Sequence, residues 1–399
     1  MFLSVQRYKY LHVILSNLIH KSFYTKADSY YIYKKKLLKF LFRIRIWAIL
    51  LLLFTACSQD DDYQAVSPVL LDLDQVPYPK LSDYQFFKTP LSELNPVFGV
   101  LPFEPRSILF TDYAKKNRFV WMPAGVFAYF NGSGNTLLMP TGSVLIKNFY
   151  YPRVQPENRE RHIETRLMIK KSEGWIFANY VWNESQTEAY LDLAGSELTI
   201  EWIDDSQQLR EVQYQIPSEA ECISCHRNFQ SSKDFPIGIK PQNLNFAYPY
   251  PEGTKNQLQQ WIDYGYLKGP LPGNIDSVVN YEDTTAPLTL RARSYLDANC
   301  AHCHRTGGYA DHYILRLEYQ HNNLPENIGL CIVPEHDFMP GQEGNYFINP
   351  GDKETSVTYA RMNTNDFYWR MPPFGKTLIH TEGVDLIGQW IDSMTETCN

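Results

Sequence analysis

Cysteine is scarce in this chain: seven residues in 399 are too few to staple a protein of this length, so a disulfide-framework fold is excluded and the spacing of the cysteines matters more than their number. Charge is scarce as well, at 20% against 44% hydrophobic residues. That balance excludes a disordered chain, and 21 glycines without a three-residue period exclude collagen. A sequence this long and apolar is expected to pack two or three domains. Aromatic residues are plentiful by contrast: 28 Tyr, 22 Phe and 8 Trp supply flat apolar surface with polar handles, suited to β-rich packing or to the walls of a cofactor pocket.

Acids are nearly missing from Met1 to Ala56, which holds 10 of the 37 basic residues and one acid, Asp28. Without that segment 27 basic residues face 43 acidic ones, a net charge of −16. Such a surface repels phosphate backbones, so no nucleic acid is expected as a partner. Lys34, Lys35, Lys36, Lys39, Arg43 and Arg45 precede the uncharged run Ile46 to Ala56, which ends at Cys57. Its 11 residues fall short of the roughly 20 that a membrane-spanning helix needs. Residues 1–56 therefore read as a leader with a basic region, an apolar region and a small-residue cleavage site. Phe54-Thr55-Ala56-Cys57 resembles the bacterial lipoprotein signal, in which the cysteine is lipidated and becomes the new N-terminus; ordinary secretory cleavage is the alternative. The run Ser58 to Asp62 is similar to the acidic stretch that follows the lipidated cysteine of surface-exported lipoproteins. The expected location is the periplasm, outer membrane or cell surface of a Gram-negative bacterium, with the membrane reached through a lipid on Cys57.

Residues 57–95 read as a tether and an extended lead-in, because Pro68, Pro77, Pro79 and Pro90 interrupt any regular element. Period-2 patterning then takes over. Ser143 to Phe149 reads as a strand, Ile163 to Lys170 with Trp175 to Trp182 as a hairpin, and Leu198 to Ile203 with Arg210 to Ile216 as a second hairpin. Residues 96–217 are thus expected to form a β-rich domain, a sandwich or a meander. After Pro217 short helices and irregular stretches follow, and an internal repeat appears. Cys222-Ile223-Ser224-Cys225-His226-Arg227 leads to Trp261-Ile262-Asp263, as Cys300-Ala301-His302-Cys303-His304-Arg305 leads to Trp390-Ile391-Asp392. The expected units are 218–270 and 285–399, with Gly269-Pro270-Leu271-Pro272-Gly273 between them.

Each cluster is C-x-x-C-H, the pattern that attaches haem covalently: two thiols add to the vinyl groups and the adjacent histidine ligates the iron. Two intervening residues let one helical turn present both sulfurs to one porphyrin edge. A zinc ribbon would place its pairs about 15–20 residues apart, whereas 74 residues separate Cys225 from Cys300. A thioredoxin-like pair would need a βαβ context; two structural disulfides are the remaining alternative. The expected cofactors are two covalently attached haem c groups on Cys222, Cys225 and His226 and on Cys300, Cys303 and His304.

The sixth ligand decides what each iron can do. Met371, in Arg370-Met371-Pro372-Pro373-Phe374-Gly375, stands 67 residues after His304 and ahead of a closing helix near Asp385 to Met394. That order matches the class I cytochrome c plan; Met362 and Met339 are the fallback candidates. The 34 residues between His226 and Trp261 hold neither Met nor His, so the first haem is either open or completed from elsewhere. Met122, Met139 and His162 in the β-rich domain are candidate donors.

The stretches Ile108 to Phe119, Pro140 to Phe149, Glu164 to Leu167, Tyr180 to Glu184, both haem motifs and Met371-Pro372-Pro373 resemble a largely uncharacterised family of exported bacterial dihaem c-type cytochromes. The resemblance implies an α+β fold, a β-rich N-terminal domain followed by two mostly α-helical cytochrome c-like units, and electron transfer between a dehydrogenase or other cytochrome and a later acceptor. The rival reading is a catalytic, peroxidase-like dihaem oxidoreductase with an open first haem. Cys331 and Cys398 are left over and either pair or stay free. Lys147 lies in a segment similar to one in cytochromes whose haem is joined to a lysine, although the strand pattern alone expects it to face solvent.

Overall fold

The computed structural model describes residues 33–42, 45, 65–335 and 339–398. The chain divides into two units, residues 1–65 and 66–399. In the first, residues 33–42 are helical, and the lipidation candidate Cys57 lies outside the described residues. Everything below concerns the second unit.

Its centre is one antiparallel sheet of eight strands: β1 (Leu101–Pro102), β2 (Lys115–Trp121), β3 (Val144–Val154), β4 (Arg159–Lys170), β5 (Trp175–Trp182), β6 (Ala189–Leu191), β7 (Ser196–Ile203) and β8 (Leu209–Ile216). The order β1-β2-β3-β4-β5-β6 makes the sheet a meander, and the β7–β8 hairpin joins the far end of β3 through the pair Val154 and Trp202. Both expected hairpins are present, and helices follow the sheet, so the α+β class holds. Patterning missed three strands of this sheet: β1 and β6, which span two and three residues, and β2, which carries no clean alternation in sequence.

Period-2 geometry sends alternate side chains of β3 to opposite faces. Val144 and Ile146 join Phe119, Leu167, Ile169, Ala178 and Tyr180 in a core capped by the lead-in, through Val76, Leu81, Tyr84, Phe86 and Leu91. The prolines there break the lead-in into two short 3-10 turns, Leu81–Tyr84 and Leu91–Glu93. Its apolar residues cover the sheet, and its backbone pairs with the β6 edge at the Lys80–Tyr190 bridge.

The other face carries Val120 and Leu145 into a second core with Ile239, Leu244, Leu258 and Trp261, all from the segment after the sheet. Trp261 is fully buried on the short helix Gln257–Asp263, whose capping residue Asn256 accepts from the Leu258 and Gln259 amides. Burying a side chain of that size contributes on the order of 2–3 kcal/mol. The first motif segment therefore shares its core with the sheet. The repeated tryptophan Trp390 does the same work in a separate core, with Tyr295, Leu296, Leu315, Phe347 and Ile387. That core is built by the helices Leu288–Asn299 and Thr381–Asp392. Cys331 and Cys398 are joined in a disulfide, which resolves the open choice between pairing and free thiols.

Candidate functional site

The first motif ends the helix Glu219–His226. Ser218 opens it: its hydroxyl accepts from the Glu221 amide while the Glu221 carboxylate accepts from the Ser218 amide at 2.8 Å, a reciprocal cap. None of the eight residues is fully buried, although Cys222, Cys225 and His226 all face a cavity of about 220 Å³. The His226 Nδ1 lies 2.9 Å from the Phe235 carbonyl oxygen. That bond fixes the proton on Nδ1 and leaves the Nε2 lone pair free, the tautomer a metal ligand needs. Burial lowers its pKa to about 4, so the ring is neutral.

The second motif follows the helix Leu288–Asn299. Cys300, Cys303 and His304 line a cavity of about 310 Å³ together with Met371. Burial lowers His304 to about 4, and its Nδ1 is buried without a hydrogen-bond partner. Met362 also lines this cavity but is packed into the surrounding core. Met339 does not line it. Of the three methionines, Met371 is half-buried and faces the space that His304 faces.

The two motifs meet. The ligand atoms of Cys225, His302 and Cys303 lie within 4.8 Å of one another, and the Cys303 sulfur is 3.9 Å from the Ser224 carbonyl oxygen. Hydrogen bonding from Cys303 draws the Cys225 thiol well below its ordinary value, and the same bond pushes Cys303 up. Burial raises Cys222 to about 11 and Cys300 to about 12. Around this contact the Phe229 amide donates to the Gly307 carbonyl at 2.7 Å. Gly307 has φ +74°, a left-handed backbone that favours glycine, and a Cβ there would displace the Asn228 side chain.

The floor of the first cavity is the sheet. Arg118, Lys147, Arg166 and Asn179 stand in register across β2, β3, β4 and β5, and all four line the cavity with His226. Lys147 therefore does not face solvent as the strand pattern expects, because the motif segment covers that face. Burial holds its amine well below the ordinary range, helped by the cations Arg118, Lys116 and Arg166. Arg166 is paired with Glu164, whose carboxylate also accepts from the Tyr214 hydroxyl at 2.7 Å, and Arg118 lies 3.4 Å from Glu104. Asn179 is buried with neither its Nδ2 nor its Oδ1 hydrogen-bonded.

The expected donors Met122, Met139 and His162 are not among the residues lining this cavity. Met122 and Met139 are packed in the core beneath it. His162 is held by Asn148 and the Ser92 carbonyl at 2.9 and 2.7 Å, against the Trp182 ring.

One positioning residue escaped the sequence reading. Buried Asp112 accepts from the Thr377 and Leu378 amides at 2.9 and 2.8 Å, which ties the loop after Met371 to the turn before β2. Its Tyr113 neighbour donates to Glu382 at 2.9 Å. A signal was present in the Thr-Asp-Tyr turn, but nothing local says which distant amides it binds.

Three features fit a thiol-anchored group on each motif. The four motif thiols are free while Cys331 and Cys398 are bonded. Each motif histidine is neutral and faces a cavity. Finally, the first motif helix lacks any fully buried residue, so the chain itself leaves its apolar side partly uncovered. Comparison of the chain with protein-family models, curated proteins and solved structures gives no match.

Proposed function

We propose that this chain is an exported dihaem c-type cytochrome that passes single electrons between a dehydrogenase-type donor, or another cytochrome, and a downstream acceptor. The observation that carries the reading is the meeting of the two C-x-x-C-H motifs: Cys225 and Cys303, far apart in sequence, are in contact, while His226 and His304 face two adjoining cavities that share Phe110, His302, Pro372 and Phe374 in their walls. Two attachment points in contact support transfer between the groups they hold. Haem c supplies a reversible one-electron iron couple when bound, with a potential set by axial ligand and burial.

The chain's own part is to hold and tune. Cys222 and Cys225, and Cys300 and Cys303, would hold the two haems through thioether bonds; His226, through Nε2, and His304 would supply an imidazole to each iron, and Met371 would supply a thioether sulfur at the second site. Met371 is steadied by its amide, which donates to the Arg361 carbonyl at 2.8 Å. The two motif-bearing segments act in this reading as cytochrome c-like units; the first leans on the sheet and, contrary to expectation, is not mostly α-helical, since its short helices alternate with the two-stranded ribbons Arg227–Asn228 with Lys233–Asp234 and Ala247–Tyr250 with Gly253–Asn256. A lipid on Cys57 tethers the mature chain on the periplasmic or outer face of a membrane. Among the described residues no helix is long and apolar enough to cross one.

A second reading rests on Cys225, His302 and Cys303, whose grouping suits one soft ion such as zinc. It excludes the first, because thioether formation consumes the same sulfurs. Pyridine haemochrome assay, intact mass and metal analysis of protein from a host competent in cytochrome maturation separate them. Two haems per chain are expected; unmodified thiols with one zinc would overturn the proposal and favour the second reading.

A further inference from the structure

The first cavity contains a donor that the sequence could not assign. We propose that Lys147 supplies the sixth ligand of the haem held by Cys222, Cys225 and His226, its amine standing on the sheet floor of the cavity that His226 faces. This inference rests on the dihaem reading.

The assignment follows from what else the cavity offers. Arg118 and Arg166 also line it, but a guanidinium keeps its proton and has no lone pair to give. Lys240, the other amine of the lining, is held by Asp297 at 2.6 Å, and Asp297 also accepts from Gln242; Asp192 accepts from the Ala194 and Gly195 amides and from Ser196, and Glu219 is exposed in the first turn of the motif helix. Glu221 is committed to the cap of the motif helix. Met168 stands in register between Leu145 and Phe177 and packs into the apolar core. His302 also lines the cavity, but its ring lies against Cys225 and Cys303, the sulfurs that would be attached.

Lys147 remains. It lines the cavity on β3, within the polar row, and makes no ion pair with any described carboxylate; its Nζ lies over the Phe149 ring, 4.8 Å from the centroid. Two guanidiniums, a lysine and an unpartnered amide in one row, with Arg118 and Asn179 buried and Lys147 and Arg166 half-buried, is an expensive arrangement unless a ligand completes it. A neutral amine has a lone pair to donate, and the burial that lowers Lys147 favours that form. Arg118 and Arg166, each with its own carboxylate, keep the amine from gaining one of theirs.

The test is the near-infrared magnetic circular dichroism and electron paramagnetic resonance spectrum of the oxidised, fully loaded chain, wild type and Lys147→Ala. Two low-spin haems are expected, one histidine–amine and one histidine–methionine. Lys147→Ala should lose the amine signature and turn that haem high-spin, with the other unchanged. Two histidine–methionine haems would assign Met168, a bis-histidine haem would assign His302, and a high-spin haem in the wild type would leave the site open and favour the peroxidase-like enzyme; each overturns the proposal. If Lys147→Ala fails to mature, the wild-type spectrum alone decides, and Lys147→Arg keeps length and charge but cannot ligate. A chain without haem refutes the dihaem reading itself, a separate outcome visible in its mass.

Discussion

The two motif cavities are built by different means. The first is a pocket against a β-sheet: its floor is four strands in register, and the segment that bears the motif has no core apart from the sheet. The second is enclosed by the helices Leu288–Asn299 and Thr381–Asp392 around a core of its own, with a methionine-bearing loop across it. A sheet floor presents side chains at fixed spacing, and here it presents cations. A helical enclosure presents apolar walls and leaves the ligand to a loop. The same five-residue motif can therefore be given two chemical surroundings within one chain.

Paired cysteine replacements break the comparison most severely. Cys222→Ser with Cys225→Ser, and Cys300→Ser with Cys303→Ser, should each cut the haem count from two to one per chain, read by haemochrome absorbance and mass. Should either pair abolish both haems, the cavities are not separate sites. Next in size is Met371→Ala, which should convert only the second haem from low to high spin, whereas Met362→Ala should leave its spectrum low-spin and reduce stability by about 2–5 kcal/mol through a core cavity.

A smaller effect sharpens the contrast between sheet and loop. Asp112→Ala removes the acceptor for two amides of the loop after Met371, which should destabilise the chain by about 1–3 kcal/mol in chemical denaturation. It should also disturb the spectrum of the second haem more than the first. Equal disturbance of both would show that Asp112 steadies the whole sheet and not the loop. The mildest test is pH dependence. His380, stacked on Phe110 at 4.1 Å and 3.1 Å from the Tyr295 hydroxyl, is lowered by burial from 6.5 to about 4. Between those values the unfolded chain binds the proton and the folded one does not, so stability is full above pH 6.5 and falls as pH drops toward 4, by on the order of 2–3 kcal/mol. His380→Leu should flatten that slope in denaturation measured across the window.

The parts of the site that were legible in sequence are those written at short range. C-x-x-C-H is a local spacing, and the β4–β5 hairpin follows from alternation around Ser172-Glu173-Gly174, so both could be read directly. Lys147 shows where such reading ends. Alternation sorts residues into two faces but does not say which face is covered, and a lysine between Ile146 and Asn148 looks like a solvent position until the segment after residue 217 folds over it. Met122 and Met139 fail as donors for the converse reason: apolar side chains near a cavity are usually drawn into the core that supports it. Arg118 and Arg166 belong with Lys147 only through strand register, which connects residues up to 61 positions apart from β2 to β5. Asp112 likewise reaches across 265 positions to its partner Thr377.

The contact between Cys225 and Cys303 matters before any cofactor arrives. Two neighbouring thiols in an oxidising compartment are one electron pair away from a wrong disulfide, which would fasten the two motifs to each other and leave neither able to react with a vinyl group. In a chain exported and loaded as proposed, folding and cofactor insertion are then in a race, won only where the chain is kept open and reduced until attachment is complete.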